Sequence, residues 1–223
     1  MSTTQPWSGR ALHFVGIGGA GMSGLALVAR SLGASVTGSD RAAGSPYVGP
    51  LRALGVEPVA GHDAANVPDG AEVVVSSAIP AENPERAIAR ERGQRELHRA
   101  ELLGELTRLK PTIAISGTHG KTTTSSMVVH ALRGCGLDPS YLVGGEVRST
   151  GANAGWGAGE WLVVEADESD RSLLKLAPRC RRHLPRLPGA VRAGGGLGSP
   201  GAARARRRHA GHAVRRRRAR PGR

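Results

Sequence analysis

The chain has 223 residues, and its 31 Lys and Arg against 18 Asp and Glu suggest at first a binder of nucleic acid or of an anionic membrane surface. The distribution argues against that reading for most of the chain: residues 179–223 hold 15 arginines and no acidic residue, leaving 16 basic and 18 acidic residues over 1–178. Two cysteines, Cys135 and Cys180, offer neither a disulfide framework nor a Cys-based zinc site, and no apolar run approaches the roughly 20 residues of a membrane span.

The opening MSTTQPWSGR lacks the basic start and apolar stretch of a secretory signal, so the body is expected in the cytoplasm. Residues 12–17 form a short apolar run ending in glycines, the pattern of a buried parallel strand. Residues 21–32 carry Met22, Leu25, Leu27 and Val28 at helical spacing, with Gly33 placed to stop the helix. A second strand over 35–38 ends at Asp40, a weaker helix covers 48–54, and strands are expected at 56–59 and 72–77. Residues 83–108 read as one charged helix with Leu97, Leu102, Leu103 and Leu106 on its apolar face. Pro111 resets the pattern. A strand over 112–116, a tight loop over 117–120 and a helix over 121–132 follow. A last strand, 161–164, runs into the acidic cluster Glu165, Asp167, Glu168 and Asp170. The alternation predicts an α/β protein with parallel, doubly wound sheets. Two strand–loop–helix units suggest two domains, 1–109 and 110–178, the second incomplete.

The first loop, Gly16-Ile17-Gly18-Gly19-Ala20-Gly21, fits G-x-G-x-x-G and has Asp40 about 20 residues further on. Glycines there permit a tight turn and bring the N–H groups of a helix start toward a diphosphate. Gly18, Gly19, Gly21 and Asp40 are therefore candidate ligand contacts. Ser76 and Ser77 end a strand on the same sheet edge and are placed to donate to the same diphosphate. A nicotinamide dinucleotide is the rival ligand, and a glycine turn chosen for packing alone is the plain alternative. The dinucleotide reading is weakened because the next unit is a P-loop rather than a second dinucleotide half.

That unit is Gly117-Thr118-His119-Gly120-Lys121-Thr122-Thr123, shorter than G-x-x-x-x-G-K-[ST] because Ile115 stands where the first glycine would fall. Its N–H groups would cradle phosphates, Lys121 would neutralise the outer ones, and the Thr122 hydroxyl would ligate Mg²⁺. Glu165, closing the strand WLVVE, is well placed to hold the same ion. Asp167, Glu168 and Asp170 read equally well as a solvated turn, and Cys135 as a small buried hydrophobe.

GTHGKTTT resembles the loop of the Mur ligase and folylpolyglutamate synthetase superfamily. Together with HFVGIGGAGMSGLA and VVEADESDRS, it makes residues 1–178 similar to Mur ligases that act on UDP-N-acetylmuramate and L-alanine. The resemblance implies a Rossmann-like, parallel-sheet UDP-binding domain, then a P-loop-type ATPase domain, then a third domain for the amino acid. It implies ATP and Mg²⁺ as cofactors, and a reaction in peptidoglycan precursor synthesis. In that reaction ATP phosphorylates the lactyl carboxylate of UDP-N-acetylmuramate and the alanine amine attacks the acyl phosphate. By the same resemblance Lys121, Glu165 and His119 are catalytic, Glu165 binds magnesium and His62 contacts the uridine; a loop histidine without such a role is the alternative at 119 and at 62. Neither specific nucleic-acid binding nor membrane insertion is implied, and the oligomeric state stays open.

Residues 179–223 are mostly Arg, Ala, Gly and Pro, which cannot bury enough apolar surface to offset ordering, so this stretch is expected to be a disordered Arg-rich tail. The same residues are what a GC-rich gene yields out of frame, and a one-base shift lets the codons of 179–183 encode an apolar strand. The expectation is a chain that is an inactive ligase fragment; a UDP-sugar-binding remnant and, further off, an NAD(P)-dependent dehydrogenase are the alternatives.

Overall fold

The computed structural model describes residues 5–41 and 44–166 in full, and the main chain of 180–184. Met1–Pro188 form one compact unit; a second, Gly189–Arg223, lies outside the described residues.

The first unit holds two sheets. In the first, β1 (Ala11–Val15), β2 (Ser35–Asp40), β3 (Val59–Ala60), β4 (Glu72–Val75) and β5 (Glu96–His98) lie in the order β3-β2-β1-β4-β5, all parallel. From β1 the chain runs outward to β2 and β3, then returns to β4 on the other side of β1. The order therefore reverses beside β1, and a crevice opens where the loops after β1 and β4 diverge. Leu12, His13, Phe14 and Val15 are all buried, as a central strand covered on both faces requires.

The helices α1 (Ala20–Ser31), α2 (Gly49–Ala53), α3 (Pro84–Glu91) and α4 (Arg99–Leu109) connect these strands. The single helix expected over 83–108 is instead helix, strand, helix. Asn83 caps α3 through its side chain, with Pro84 in the first turn, and Gly93 at φ 64° ends it. His98 then caps α4 in a reciprocal arrangement with Glu101. Leu97 belongs to β5 and is buried there, not on a helical face. The strand expected at 56–59 is a two-residue pairing at Val59–Ala60.

The second sheet contains β6 (Thr112–Gly117), β7 (Ser140–Val147), β8 (Ala152–Gly155), β9 (Leu162–Ala166) and β10 (Cys180–Leu184), in the order β10-β6-β9-β7-β8. Only β8 runs antiparallel to its neighbour. Helix α5 (Lys121–Gly134) follows β6. The hairpin β7–β8 carries no strong sequence signal, because Gly144 and Gly145 interrupt its apolar pattern. Strand β10 corrects the expectation of a tail disordered from residue 179. Its main chain pairs with β6 from Cys180↔Ile113 to Leu184↔Gly117. A parallel ladder is made by backbone groups, and the free edge of β6 supplies them whatever side chains the incoming segment carries. The rest of the expected tail, and Asp167, Glu168 and Asp170, lie outside the described residues.

One core joins the sheets. Phe14, Leu25, Val28 and Leu102 belong to the same buried apolar cluster as Leu142, Ala154, Leu162 and Val164. Helix α1 is the shared layer: Met22 through Ala29 are buried without a break, as a helix covered on all sides should be. Gly24 permits the approach, since a Cβ there would stand 3.2 Å from the Ala154 Cβ. Among the described residues no helix is long and apolar enough to cross a membrane.

Candidate functional site

The loop after β1 turns at Gly16, whose φ is 80°, and leads into α1. Gly18 is held from two sides. Its N–H donates to Asp40 Oδ2 at 2.8 Å and its carbonyl accepts from Ser45 Oγ at 2.5 Å. Asp40 thus shapes the loop itself, and the Gly18 N–H expected to face a diphosphate is engaged by that carboxylate. A Cβ at Gly18 would stand 2.9 Å from Asp40 Oδ2 and 3.1 Å from the Ser45 Cβ, so a side chain there would displace the two residues that hold the loop.

A first cavity opens over this loop, lined by Gly18, Gly19, Asp40, Ser45, His62 and Ser76 among others. Five of the seven substrate-site residues expected from the sequence meet here. Ser77 is exposed one residue beyond, outside the lining. Gly21 is the second residue of α1 and lines a different cavity. Ser45 was missed, because its loop has no strand or helix periodicity to mark it.

Beneath His62 lies a buried carboxylate. Glu85 Oε2 accepts from Ser39 Oγ at 2.6 Å and lies 3.4 Å from His62 Nδ1 and 3.7 Å from His13 Nε2. Its other oxygen accepts from Asn66 Nδ2 at 2.8 Å. Burial pushes the Glu85 carboxyl up, but the donors and the imidazole of His13 outweigh it and hold the group down at about 2.

In the second sheet, Gly120 adopts φ 78°, a left-handed turn that opens α5 without a side-chain cap. Thr124 N–H is the first to bond back, to the Gly120 carbonyl, so the amides of Lys121, Thr122 and Thr123 precede the helical ladder. Thr118, His119, Gly120, Thr122 and Thr123 are exposed. Lys121 folds over the loop and donates from Nζ to the Gly117 carbonyl at 2.7 Å. A short loop of exposed amides at a helix start, with one ammonium group across it, is built for a polyphosphate.

Thr122 Oγ1 donates to Glu165 Oε2 at 3.3 Å, so the hydroxyl and the carboxylate expected to share a metal stand side by side. Gly144 leaves room for them: a Cβ there would be 2.9 Å from Glu165 Oε2 and 3.4 Å from Thr122 Oγ1. Two hard oxygens suit Mg²⁺, which takes one or two protein ligands and completes its shell with water and phosphate oxygens. The glycine pair inside β7 was the available signal for this close approach.

A second cavity connects the two loops. It is lined by Gly21, Gly24, Arg99, Lys121, Gly144 and Glu165, among others. Arg99 was not anticipated. It occupies the first position of α4, where a cation opposes the helix dipole. A Cβ on Gly21 would stand 2.5 Å from Arg99 Nη1, so the third glycine of the motif makes room for this guanidinium. His119 is exposed on the loop and is not among the residues lining this cavity.

The chain is similar to known ligases in sequence and in fold. The model described as "Mur ligase family, catalytic domain" matches residues 11–111. UDP-N-acetylmuramate–L-alanine ligase of Acidiphilium cryptum is 53% identical over 172 residues, covering 77% of this chain and 36% of its own length. The chain thus spans about a third of the length of the curated relatives it matches. The crystal structure of UDP-N-acetylmuramate-alanine ligase from Thermotoga maritima superposes with a TM-score of 0.74 at 34% identity, over 79% of this chain and 41% of that one. A ligase of UDP-N-acetylmuramate with a tripeptide, from Neisseria meningitides, gives 0.69 at 27% identity, over 77% and 59%. Two nucleotide-type loops, with one cavity lined from both, thus lie in a chain whose residues 11–111 match the Mur ligase family.

Proposed function

We propose that the chain carries the nucleotide-binding parts of an ATP-dependent ligase that joins L-alanine to UDP-N-acetylmuramate in peptidoglycan precursor synthesis. The observation that carries this reading is the second cavity, where the N-terminal turn of α1 meets Lys121 and Glu165. A UDP-sugar seated with its uridine end in the first cavity extends past Gly21 and delivers its lactyl carboxylate to the P-loop.

The residues divide the work accordingly. Gly18, Gly19, Asp40, His62 and Ser76 form the UDP end, and Gly21 and Arg99 border the passage toward the carboxylate. The amides of Gly117 to Thr123 and the Lys121 ammonium hold the ATP phosphates. Lys121 would leave the Gly117 carbonyl to meet the developing negative charge as the phosphoryl group moves to the carboxylate oxygen. Thr122 and Glu165 would hold Mg²⁺, which when bound spreads the phosphate charge. The amine of alanine would then attack the carbonyl carbon of the acyl phosphate, forming the C–N bond of the amide as the C–O bond to phosphate breaks, with inorganic phosphate and the amine's proton released. With nucleotide substrates, the reaction belongs in the cytoplasm.

The test is calorimetric titration of the 223-residue chain with ATP·Mg²⁺, with UDP-N-acetylmuramate and with NADH. The expected result is binding of the first two at separate sites and none of the third. Binding of NADH in preference to both would overturn the proposal.

A further inference from the structure

Glu85 is buried completely, lies outside both cavities and would take no part in phosphoryl transfer, yet it reaches four elements. Its carboxylate touches β1 through His13, β2 through Ser39, the loop after β3 through His62, and the following turn through Asn66 and the Asp63 amide. A buried carboxylate with that many partners organises whatever they face. His62 is the one that faces a ligand cavity.

The protons follow from the distances. An ionised carboxylate has no proton to give, so across the 2.6 Å contact the Ser39 hydroxyl must donate to Glu85. A hydroxyl has one proton. The 2.9 Å contact between Ser39 Oγ and His62 Nδ1 is then possible only if Nδ1 carries the hydrogen and donates. The same N–H lies 3.4 Å from Glu85 Oε2, which also favours a hydrogen on that nitrogen. With Nδ1–H committed inward, Nε2 is the ring nitrogen left to the cavity, and in the neutral imidazole it is a hydrogen-bond acceptor.

We infer that Glu85 is a positioning residue which, through Ser39 and through its own Oε2 3.4 Å from Nδ1, fixes His62 in the Nδ1–H form, so that the first cavity offers an acceptor nitrogen to a donor on the ligand. The partner chemistry is an N–H of a pyrimidine ring or a sugar hydroxyl, not a phosphate oxygen. This rests on the reading of that cavity as the UDP end. It adds which atom His62 offers and what sets it.

Replacing the carboxylate tests the relay. In Glu85→Gln the amide nitrogen can donate to Ser39, which frees the hydroxyl to donate to His62 Nδ1 and moves the ring proton to Nε2. In Ser39→Ala the carboxylate remains within reach of Nδ1 and the proton stays there. ¹⁵N-histidine NMR of the full chain at neutral pH, with the His62 signals assigned by their loss in His62→Gln, reads the tautomer directly. The expected outcome is Nδ1–H in the wild-type chain and in Ser39→Ala, and Nε2–H in Glu85→Gln. UDP affinity should fall about tenfold in Glu85→Gln, the cost of facing a ligand donor with another donor. A residue that merely filled the core would leave the tautomer unmoved.

Nε2–H in wild-type His62 overturns the inference whatever the affinities, as does an unchanged tautomer in a folded Glu85→Gln. Should Glu85→Gln not fold, wild type and Ser39→Ala still decide it, since loss of Nδ1–H in either shows that the carboxylate does not hold the proton on that nitrogen. Absence of UDP binding by the wild-type chain would overturn the ligand class and the functional reading together, while the tautomer remains a separate result.

Discussion

The two glycine loops share one plan, strand then loop then helix, but they are held in opposite ways. After β1, Gly18 is pinned by Asp40 and Ser45, and His62 is pinned from below by Ser39 and Glu85. After β6, the loop residues from Thr118 to Gly120 are exposed, and the bonds over its start are Lys121 to the Gly117 carbonyl and Thr122 to Glu165. The first loop is preorganised by side chains, as selection of a ligand by shape requires. The second presents amides and one ammonium group, which suits a triphosphate whose charge is the main thing to recognise.

That contrast predicts unequal costs. Lys121→Ala keeps the amide cradle but removes the ammonium group, and ATP affinity should fall roughly a hundredfold, the upper range for a charge-assisted contact. UDP-sugar affinity should stay within about twofold. Calorimetry with each ligand checks both; equal losses for the two would erase the distinction between the loops. Gly18→Val is the converse change. Its side chain would meet Asp40 and Ser45 and displace the pins of the first loop, so UDP-sugar binding should weaken by at least tenfold with ATP binding retained.

The pinned region also has a pH signature. The Glu85 carboxyl sits at about 2, below its ordinary 4.5, so it binds its proton less readily in the folded chain. Its contribution is therefore fully present above the ordinary carboxylate range and is lost as pH falls from about 4.5 toward 2. Glu85→Gln should have lower stability at neutral pH and a shallower loss through that window. Urea midpoints at several pH values measure the slope, and parallel curves for wild type and variant would show that Glu85 is not the group responsible.

Much of this architecture was legible because local chemistry and tertiary packing agreed. The strand-to-glycine transitions at residues 15–18 and 116–120 place both loops, and the apolar run WLVVE delivers Glu165 to the right sheet edge. Legibility failed where tertiary context decides. Leu97 fits a helical face with Leu102 and Leu106, yet Gly93 and the His98 cap break that helix and set Leu97 in a strand. Glu85 carries no signal of its own within a charged segment; only pairing of β1 with β2 brings His13 and Ser39 beneath it. Arg99 and Gly21 are 78 positions apart in the numbering and carry no mutual pattern, although each was odd in its own place. Cys180–Leu184 has no strand-forming composition, and its pairing rests on the edge that β6 offers.

Helix α1 is where the two regions meet, so changes there should affect both without touching either ligand. Gly24→Leu would push against Ala154, Asn153 and Leu142 and should lower stability by about 1–3 kcal/mol, the usual cost of overfilling a packed contact. An unchanged unfolding midpoint would mean that the sheets are not closely packed at this point.

Asn153 makes the subtler connection. From β8 its Nδ2 donates to the Ala20 carbonyl at 2.6 Å and to Ser23 Oγ at 3.2 Å, tying the second sheet to the first turn of the glycine-loop helix. Its own Oδ1 is buried without a hydrogen-bond partner. Asn153→Ala removes the donor and the orphaned oxygen together, so the net loss should be small, about 1 kcal/mol. Asn153→Asp is nearly isosteric but would set a carboxylate oxygen against the Ala20 carbonyl, acceptor against acceptor, in a buried place. It should cost more than the alanine change and should recover as pH falls and the new carboxyl gains a proton to donate. The order Asp below Ala below wild type in thermal midpoint at neutral pH, with the Asp variant regaining ground in acid relative to Ala, is the signature of directional hydrogen bonding by the Asn153 amide. If aspartate is tolerated as well as alanine, the link between the sheets is apolar contact alone.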